Sequence, residues 1–521
     1  MAGSKKKKNL TLIVLLIAMI LMIAACFSLI KYKDKKAANS SEDSTKETET
    51  IAKVDEDTIQ TIYFKNKDNE MTLVKGEDGN WKSSEDEAFP VNQTNAGNMA
   101  KAFTDIASSR TITEGVDKLS DFGLDKPAIT ATATAKDGTK TTITLGNEVP
   151  ISGGYYGTLN GEKKVYVLTA ALYNNFNYTL EKMTAVESIP SITATNITHL
   201  TVLNKDKPGF EISYDGSKAA DFAGLTQWSM KQPYKTTIPA DTDAVNTLLG
   251  NYSSMSFTSC VDYNAVDLSK YGLEDPAASV SLEYFEEYTK DKATADDKAS
   301  TETADSNTKD AKEEEKTKIN YTLDLLIGSK DADGNYYVKT KDSKAVNIMS
   351  ADAVDKLITI DAYSNVDHYV NLVNLDSINQ LDINFDGKTY TLSAEKAEDT
   401  KEDTQTKDDT QSGDSKKKED TNYYFNGTKV GEDDFKSLYQ TIISPTTERD
   451  IPKEYFTSNT DQKPVMTLTY HQTDGNKIEI QYKPYDDSYY VVNTNGLEYF
   501  LTDLRKVNDI KTALVNFMKN K

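Results

Sequence analysis

One hexapeptide occurs twice in this chain, as Phe122-Gly123-Leu124-Asp125-Lys126-Pro127 and as Tyr271-Gly272-Leu273-Glu274-Asp275-Pro276, and the likeness extends on both sides of it. A likeness of that reach marks an internal repeat, so the fold must be built from copies of one unit. Before each motif come two short β-like runs, a Trp and a helix-like run. In the first copy these are Thr61 to Lys65, Met71 to Lys75, Trp81 and a helix from about Asn92 to Ala107. In the second they are His199 to Asn204, Phe210 to Tyr214, Trp228 and a helix from about Asp241 to Tyr252. Asn92 and Asp241 suit N-caps, because their side chains can accept from the free amides of a first turn.

After each motif come alternating strands joined by Gly-containing turns, then a short helix. Ile129 to Ala135, the Asp137-Gly138 turn and Thr141 to Leu145 make one hairpin; Tyr155 to Leu159, Asn160-Gly161 and Val165 to Leu168 make another. The second copy echoes them with Ala278 to Tyr284, Tyr321 to Ile327, Asn335 to Lys339 and Ala345 to Met349. A divergent third copy starts near Asp376, with Tyr424-Phe425 where the others have Trp and a helix from about Glu432 to Ile443. Its Gly-Leu-x-x-Pro motif is missing, and Pro464 alone marks the place.

Strands joined by hairpin-length turns imply antiparallel sheets, and about two helices per copy imply an α+β fold rather than alternating βαβ units. The predicted architecture is three tandem repeats of an antiparallel sheet, spanning 58–190, 195–363 and 374–521, and a chain of 521 residues is long enough to give each its own core. Two polar, charged stretches, 286–318 and 395–420, fall between predicted strands. They read as disordered insertions at hairpin ends, where loop entropy grows slowly with length.

Residues 1–36 form a different kind of segment. Leu10 to Ile30 is an apolar run broken only by Thr11 and Ser28, and it is flanked by Lys5 to Lys8 and by Lys31, Lys33, Lys35 and Lys36. That length spans a bilayer as one transmembrane helix. Equal lysine flanks leave the positive-inside rule tied, but a short basic N terminus before an apolar run resembles an export signal and places the soluble part outside the cell membrane. Ile23-Ala24-Ala25-Cys26 also resembles a bacterial lipobox, which makes Cys26 a candidate for lipidation. Phe27 to Ile30 prolong the apolar run past that cysteine, so an uncleaved signal anchor is preferred and a lipoprotein is the alternative. Residues 37–57, rich in Ser, Thr, Glu and Lys, read as a disordered linker.

Lys plus Arg number 60 against 82 Asp plus Glu, a formal charge of −22, which argues against nucleic acid as the partner of the soluble part. With Cys26 in the apolar segment, Cys260 is alone in the rest of the chain, and no disulfide within a repeat is expected.

The repeated unit, with its Trp, the [Phe/Tyr]-Gly-Leu-x-x-Pro signature, a strand from Thr142 ending in Leu145-Gly146, and Tyr155 followed by Val165-Tyr166-Val167, resembles the bacterial DUF4340 family. The second copy carries the same set as Leu326-Ile327-Gly328, Tyr336-Tyr337-Val338 and Ala345-Val346. The resemblance implies an extracytoplasmic protein with one N-terminal membrane segment, in the neighbourhood of ABC-type export systems and gliding-motility-type auxiliary proteins. It supplies no catalytic residues.

The sequence carries no recognisable catalytic motif. His199, His368 and His471 lack short metal spacing, and no phosphate loop, nucleophile elbow or His-Glu-x-x-His motif is present. Asp331-Ala332-Asp333-Gly334-Asn335 faintly resembles a calcium loop, but Ser329 and Thr340 stand where carboxylates are required, so it reads as a hairpin turn. Gly123, Leu124, Pro127, Gly272, Leu273 and Pro276 read as structural, since Gly permits a positive φ and Pro stiffens the start of the next strand. Trp81 and Trp228 read as core rings. The pairs Tyr155-Tyr156, Tyr336-Tyr337, Tyr423-Tyr424 and Tyr489-Tyr490 are each expected to turn one ring to the core and one to solvent.

No cofactor or metal is expected. The expected function is that of a non-enzymatic, membrane-tethered interaction or scaffold protein, with protein partners in an envelope or ABC-type complex. A solute- or glycan-binding module is the alternative, and an envelope enzyme with a site assembled across repeats is the third reading.

Overall fold

The computed structural model describes residues 48–150, 153–216, 226–289, 316–396, 421–458 and 462–519. The apolar segment with Cys26, most of the linker and the middle of each insertion lie outside the described residues. Among the described residues no helix is long and apolar enough to cross a membrane.

The first sheet contains β1 (Glu49–Ala52), β2 (Ile59–Lys65), β3 (Glu70–Lys75), β4 (Trp81–Ser83), β5 (Ile106–Ile112), β6 (Ile129–Ala135), β7 (Lys140–Glu148), β8 (Tyr155–Leu159) and β9 (Val165–Leu168), in the order β1-β5-β9-β8-β7-β6-β2-β3-β4. Helix α1 (Gln93–Thr104) carries the chain from β4 to β5, and α2 (Ala170–Asn174) and α3 (Leu180–Met183) follow β9. The sheet and its helices form one compact unit. Its core follows from period-two alternation: in β6, Ile129, Ala131 and Ala133 are buried while the intervening threonines are half-buried. Ala96, Met99, Ala100 and Phe103 of α1 cover that face, and Asn92 caps the helix by accepting from Asn95 N–H.

The second sheet contains β10 (Ile197–Asn204), β11 (Phe210–Tyr214), β12 (Trp228–Gln232), β13 (Ile238–Ala240), β14 (Ser259–Asp262), β15 (Ala278–Thr289), β16 (Lys316–Lys330), β17 (Tyr336–Thr340) and β18 (Val346–Met349). Eight of them run β13-β12-β11-β10-β15-β16-β17-β18, β14 being the ninth strand. Its helices are α4 (Thr242–Leu249), capped by Asp241, and α5 (Ala351–Ile358). The third sheet contains β19 (Ile378–Phe385), β20 (Lys388–Lys396), β21 (Thr421–Phe425), β22 (Thr428–Val430), β23 (Thr447–Asp450), β24 (Met466–Gln472), β25 (Lys477–Pro484), β26 (Tyr489–Thr494) and β27 (Leu497–Asp503). Its order is β22-β21-β20-β19-β24-β25-β26-β27-β23, with helices α6 (Glu432–Ile443), α7 (Tyr455–Ser458) and α8 (Leu504–Lys519). All strand pairs with a defined register are antiparallel, and eight strands recur in one order in all three sheets: β5-β9-β8-β7-β6-β2-β3-β4, β14-β18-β17-β16-β15-β10-β11-β12 and β23-β27-β26-β25-β24-β19-β20-β21. The fold is α+β, with a nine-stranded antiparallel sheet repeated three times.

The repeated motif has a mechanical explanation. Leu119–Phe122 and Ser269–Tyr271 are 3-10 turns that end on Gly123 (φ 70°) and Gly272 (φ 66°), both left-handed, as a glycine after a helical turn commonly is. The turn lies directly on the end of the neighbouring strand. A Cβ on Gly146 would sit 2.3 Å from the Phe122 carbonyl oxygen, and one on Gly328 would sit 2.1 Å from that of Tyr271. The Leu-Gly strand end and the hexapeptide are therefore two halves of one contact, with Leu124 and Leu273 buried beneath it.

In the third sheet the register β24 to β25 places Lys483 where the others have Gly146 and Gly328. Lys483 holds Glu498 at 2.8 Å, the two side chains being only 14% and 10% exposed, so the place of the turn is taken by a side chain. Ile451 and Tyr455 pack on Val491 and Leu501 instead. Pro464 keeps register, two residues before Met466 as Pro127 precedes Ile129 and Pro276 precedes Ala278.

Several expectations need correction. The ring matching Trp81 and Trp228 is Tyr423, not Tyr424-Phe425, because Tyr423 pairs with Ala394 as Trp81 pairs with Lys75 and Trp228 with Tyr214. A slip of one residue moves a side chain to the other face. The first sheet starts before residue 58: Glu49–Ala52 adds to the edge of β5, and Thr50 Oγ1 donates to Asp105 at 2.8 Å. Strand pairing also runs into both insertions, to Thr289 paired with Lys316 and to Lys396 paired with Thr421. The tyrosine pairs do not simply divide between core and solvent. Tyr155 stacks on Tyr173 with centroids 3.9 Å apart, while Tyr156 meets the motif ring Phe122 edge-on at 5.1 Å, as Tyr337 meets Tyr271 at 5.0 Å.

Replacing Gly328 with Ala is expected to cost about 2–3 kcal/mol through overpacking, whereas Gly97→Ala, at an open position inside α1, is expected to gain about 0.5–1 kcal/mol. Denaturant melts of the two variants check this, and equal responses would refute the packed turn.

Candidate functional site

The chain leaving the second sheet makes a 3-10 turn over Tyr363–Asn365 and then runs extended through residues 366–371. On one side it pairs with the edge strand β13: Asp241 N–H donates to the Asn365 carbonyl and Asp367 N–H to the Pro239 carbonyl, each at 3.0 Å. On the other side it meets the third sheet: Thr447 N–H donates to the His368 carbonyl at 2.7 Å and Val370 N–H to the Pro445 carbonyl at 2.9 Å. One segment thus completes the backbone pairing of two sheet edges.

Aromatic side chains fill the junction. Tyr234, just beyond β12, donates its hydroxyl to Asp450 Oδ1 at 2.9 Å and packs edge-on against Tyr499 and Phe500. Tyr363 packs near His368 and Phe500, and its hydroxyl lies 3.0 Å from Thr447 Oγ1. Burial pushes the Asp450 carboxyl above the ordinary carboxylate range, with Asp361 adding to the effect and the Tyr234 hydroxyl opposing it.

Beside these rings lies a cavity of about 230 Å³. Ile238, Pro239, Val370, Leu372, Val492 and Leu497 make much of its wall, and Thr236, Asp367, Asn371 and Asn495 are among its polar members. Asn371 is 1% exposed; its Oδ1 accepts from the Tyr470 hydroxyl at 2.6 Å, and its Nδ2 has no partner. Asp367 Oδ1 accepts from the Tyr369 N–H at 3.0 Å. Burial raises the Asp367 carboxyl above its ordinary range, and the Asp241 carboxylate raises it further, against the Tyr369 N–H and the neighbouring His368. The cavity is small, largely apolar and furnished with a few polar groups, the general character of a small-molecule site.

The residues singled out from sequence lie elsewhere. Gly123, Leu124, Gly272 and Leu273 form the turn contacts, Pro127 and Pro276 precede β6 and β15, and Trp81 and Trp228 are buried. Cys26 lies outside the described residues. Asp331 to Asn335 form a turn in which Asp331 Oδ1 accepts from Asp333 and Asn335 N–H, and among the described residues no group of three potential ligands is placed to hold a metal. His199 faces Glu211 at 3.5 Å and His471 faces Asp382 at 2.9 Å, on different sheets. The cavity residues Asp367 and Asn371 were missed, because each owes its position to partners far away in sequence. The first copy makes the same exit pairing, with Asn92 N–H on the Met183 carbonyl and Ala185 N–H on that of Pro90, so Ala185 matches Asp367 and shows the carboxylate to be surplus to the backbone pairing.

A carboxyl whose folded-state pKa is raised binds its proton more readily in the folded chain, so its contribution favours folding below the unfolded value and is lost as pH rises through the folded value. Asp367→Asn is therefore expected to stabilise the protein at neutral pH, an advantage that fades as pH falls toward the ordinary carboxylate range. Melts across that range check it; a variant less stable than wild type at neutral pH would show that the charge is compensated.

Family comparison matches a model described as a domain of unknown function, DUF4340, over residues 81–234 and again over 228–426. Each match starts at or beside a Trp, with Trp81 and Trp228 opening the corresponding strands, and runs past the start of the next repeat. Neither the curated proteins nor the solved structures yield a match. The two matches together span most of the chain, which belongs to the DUF4340 family.

Proposed function

We propose that the chain is a non-enzymatic, membrane-tethered interaction or scaffold protein of the cell envelope, with its repeats outside the membrane, accessory to an ABC-type export or envelope complex. The observation that carries this reading is the threefold repetition of one sheet whose signature residues are spent on internal packing. Gly123, Leu124, Gly272, Leu273, Trp81 and Trp228 all serve the fold, which leaves the outer surfaces of three similar platforms for partners. The lysine-flanked apolar run supports the tether, and an acidic exterior suits protein partners rather than nucleic acid.

A second reading, a solute-binding module, is favoured by one observation: the cavity beside Asp367 and Asn371, with its unpartnered amide nitrogen.

Crosslinking of the full-length protein in its native membrane, followed by affinity purification and mass spectrometry, is expected to recover a transporter permease or ATPase. Recovery of the chain alone would count against the accessory role. The N-terminal peptide in the same experiment distinguishes an acylated Cys26 from an intact anchor.

A further inference from the structure

We infer that the cavity at the junction of the second and third sheets binds a small organic ammonium carrying a neighbouring carbonyl, of the amino-acid-amide or dipeptide class, with Asp367 facing the ammonium and Asn371 the carbonyl. This rests on the solute-binding reading and goes beyond it by naming the ligand class.

Charge comes first. Among the described residues Asp367 is the only acidic one lining the cavity, and no Lys, Arg or His lines it. Its carboxylate forms no ion pair among the described residues; its Oδ1 takes a backbone N–H from Tyr369. Half-buried carboxylates with no ion-pair partner are costly, and a cation bearing N–H donors is the complement that offsets the cost through charge-assisted hydrogen bonds. An anionic ligand would meet the same charge with repulsion.

The second requirement is an acceptor. Asn371 is almost wholly buried and its Oδ1 is committed to Tyr470, so its Nδ2 is a donor waiting for an oxygen. Leaving such a group unpaired costs more than a good hydrogen bond gains, and a ligand carbonyl removes that cost.

The remaining wall selects shape. Val370, Leu372 and Leu497 offer an apolar surface to a short side chain, while Tyr369 and Tyr499 add aromatic rings compatible with a nearby cation. A volume of about 230 Å³ falls below that of pockets for drug-sized molecules and suits a single residue or a small dipeptide. A lone carboxylate among such walls is a poor divalent-cation site, which needs six or more oxygens.

The internal repeat supplies a control. The same backbone exit is made in the first copy with Ala185 in the matching place, so pairing with β13 does not require the acid at position 367. Its presence calls for a use, and the cavity beside it provides one.

The test titrates full-length protein in detergent with leucinamide, with N-acetyl-leucinamide as the uncharged analogue and with isovalerate as an anion, following heat and the melting temperature. Leucinamide is expected to bind at least about tenfold more tightly than N-acetyl-leucinamide. Asp367→Asn is expected to erase that difference while still melting cooperatively. Equal affinity for the charged and acetylated compounds, or an unchanged preference in Asp367→Asn, would overturn the assignment. Binding of N-acetyl-leucinamide or isovalerate without leucinamide would overturn the ammonium class and leave solute binding standing; no response to any of the three would remove both.

Discussion

The central strand pairing of each sheet, β2 with β6, β10 with β15 and β19 with β24, joins two pieces that are otherwise local, a meander that comes before the crossover helix and a meander that follows it. Most of the hairpins close short loops, but the central pair must close a loop holding a helix and a distant strand, which delays its reward in contacts. Burial secures it. Ile62 faces Ala133, Leu200 faces Leu282 and Leu381 faces Tyr470, and all six are buried. The motif turn sits just upstream of β6 and β15, clamped on Gly146 and Gly328, so it fixes where the incoming strand begins. In the third sheet, where Lys483 takes the glycine's place, only Pro464 remains of that device, and the Ile451 and Tyr455 cluster covers the neighbouring strands.

Local chemistry made much of this legible. Asn160-Gly161 and Asn495-Gly496 both adopt positive φ at each residue, as their hairpins require. Asn92 and Asp241 cap the helices they were expected to cap. The misreadings share one physical source, the absence of information about partners. Tyr423 and Tyr424 are equally good β residues, and only pairing with Ala394 decides which takes the tryptophan's place. Glu49–Ala52 resembles a polar spacer in composition, and it is a strand because β5 presents an edge to it. Asp367 and Asn371 lay in a short connection with nothing to distinguish it, and their surroundings come from Pro239, Thr447 and Tyr470, all remote in sequence.

The family unit and the sheet are out of phase. A match beginning at Trp81 includes the helix and later strands of one sheet and ends at Tyr234, after β10 to β12 of the next; the match from Trp228 ends likewise just after β21. The recurring sequence unit thus includes the connection between successive sheets as well as the sheets themselves. For the second connection the reason is visible in the hydrogen bonds, since residues 365–371 are paired to β13 on one side and beside β23 on the other. A segment with both edges committed is as much a structural element as any strand.

That commitment makes the chemistry of the segment informative. Backbone pairing constrains the peptide groups and leaves side chains to be chosen by their surroundings, and in the first copy the choice at the matching position is Ala185. In the second copy it is Asp367, held above the ordinary carboxylate range by burial, with Asp450 of β23 pushed the same way. Two acids raised by burial at one junction oppose stability near neutral pH. Tyr234 compensates Asp450 directly, its hydroxyl donating at 2.9 Å and its ring packing on Tyr499 and Phe500. Asp367 has a backbone amide instead and a cavity beside it, so the two acids, alike in their burial, divide into one used to hold sheets together and one left facing a space that a ligand can fill.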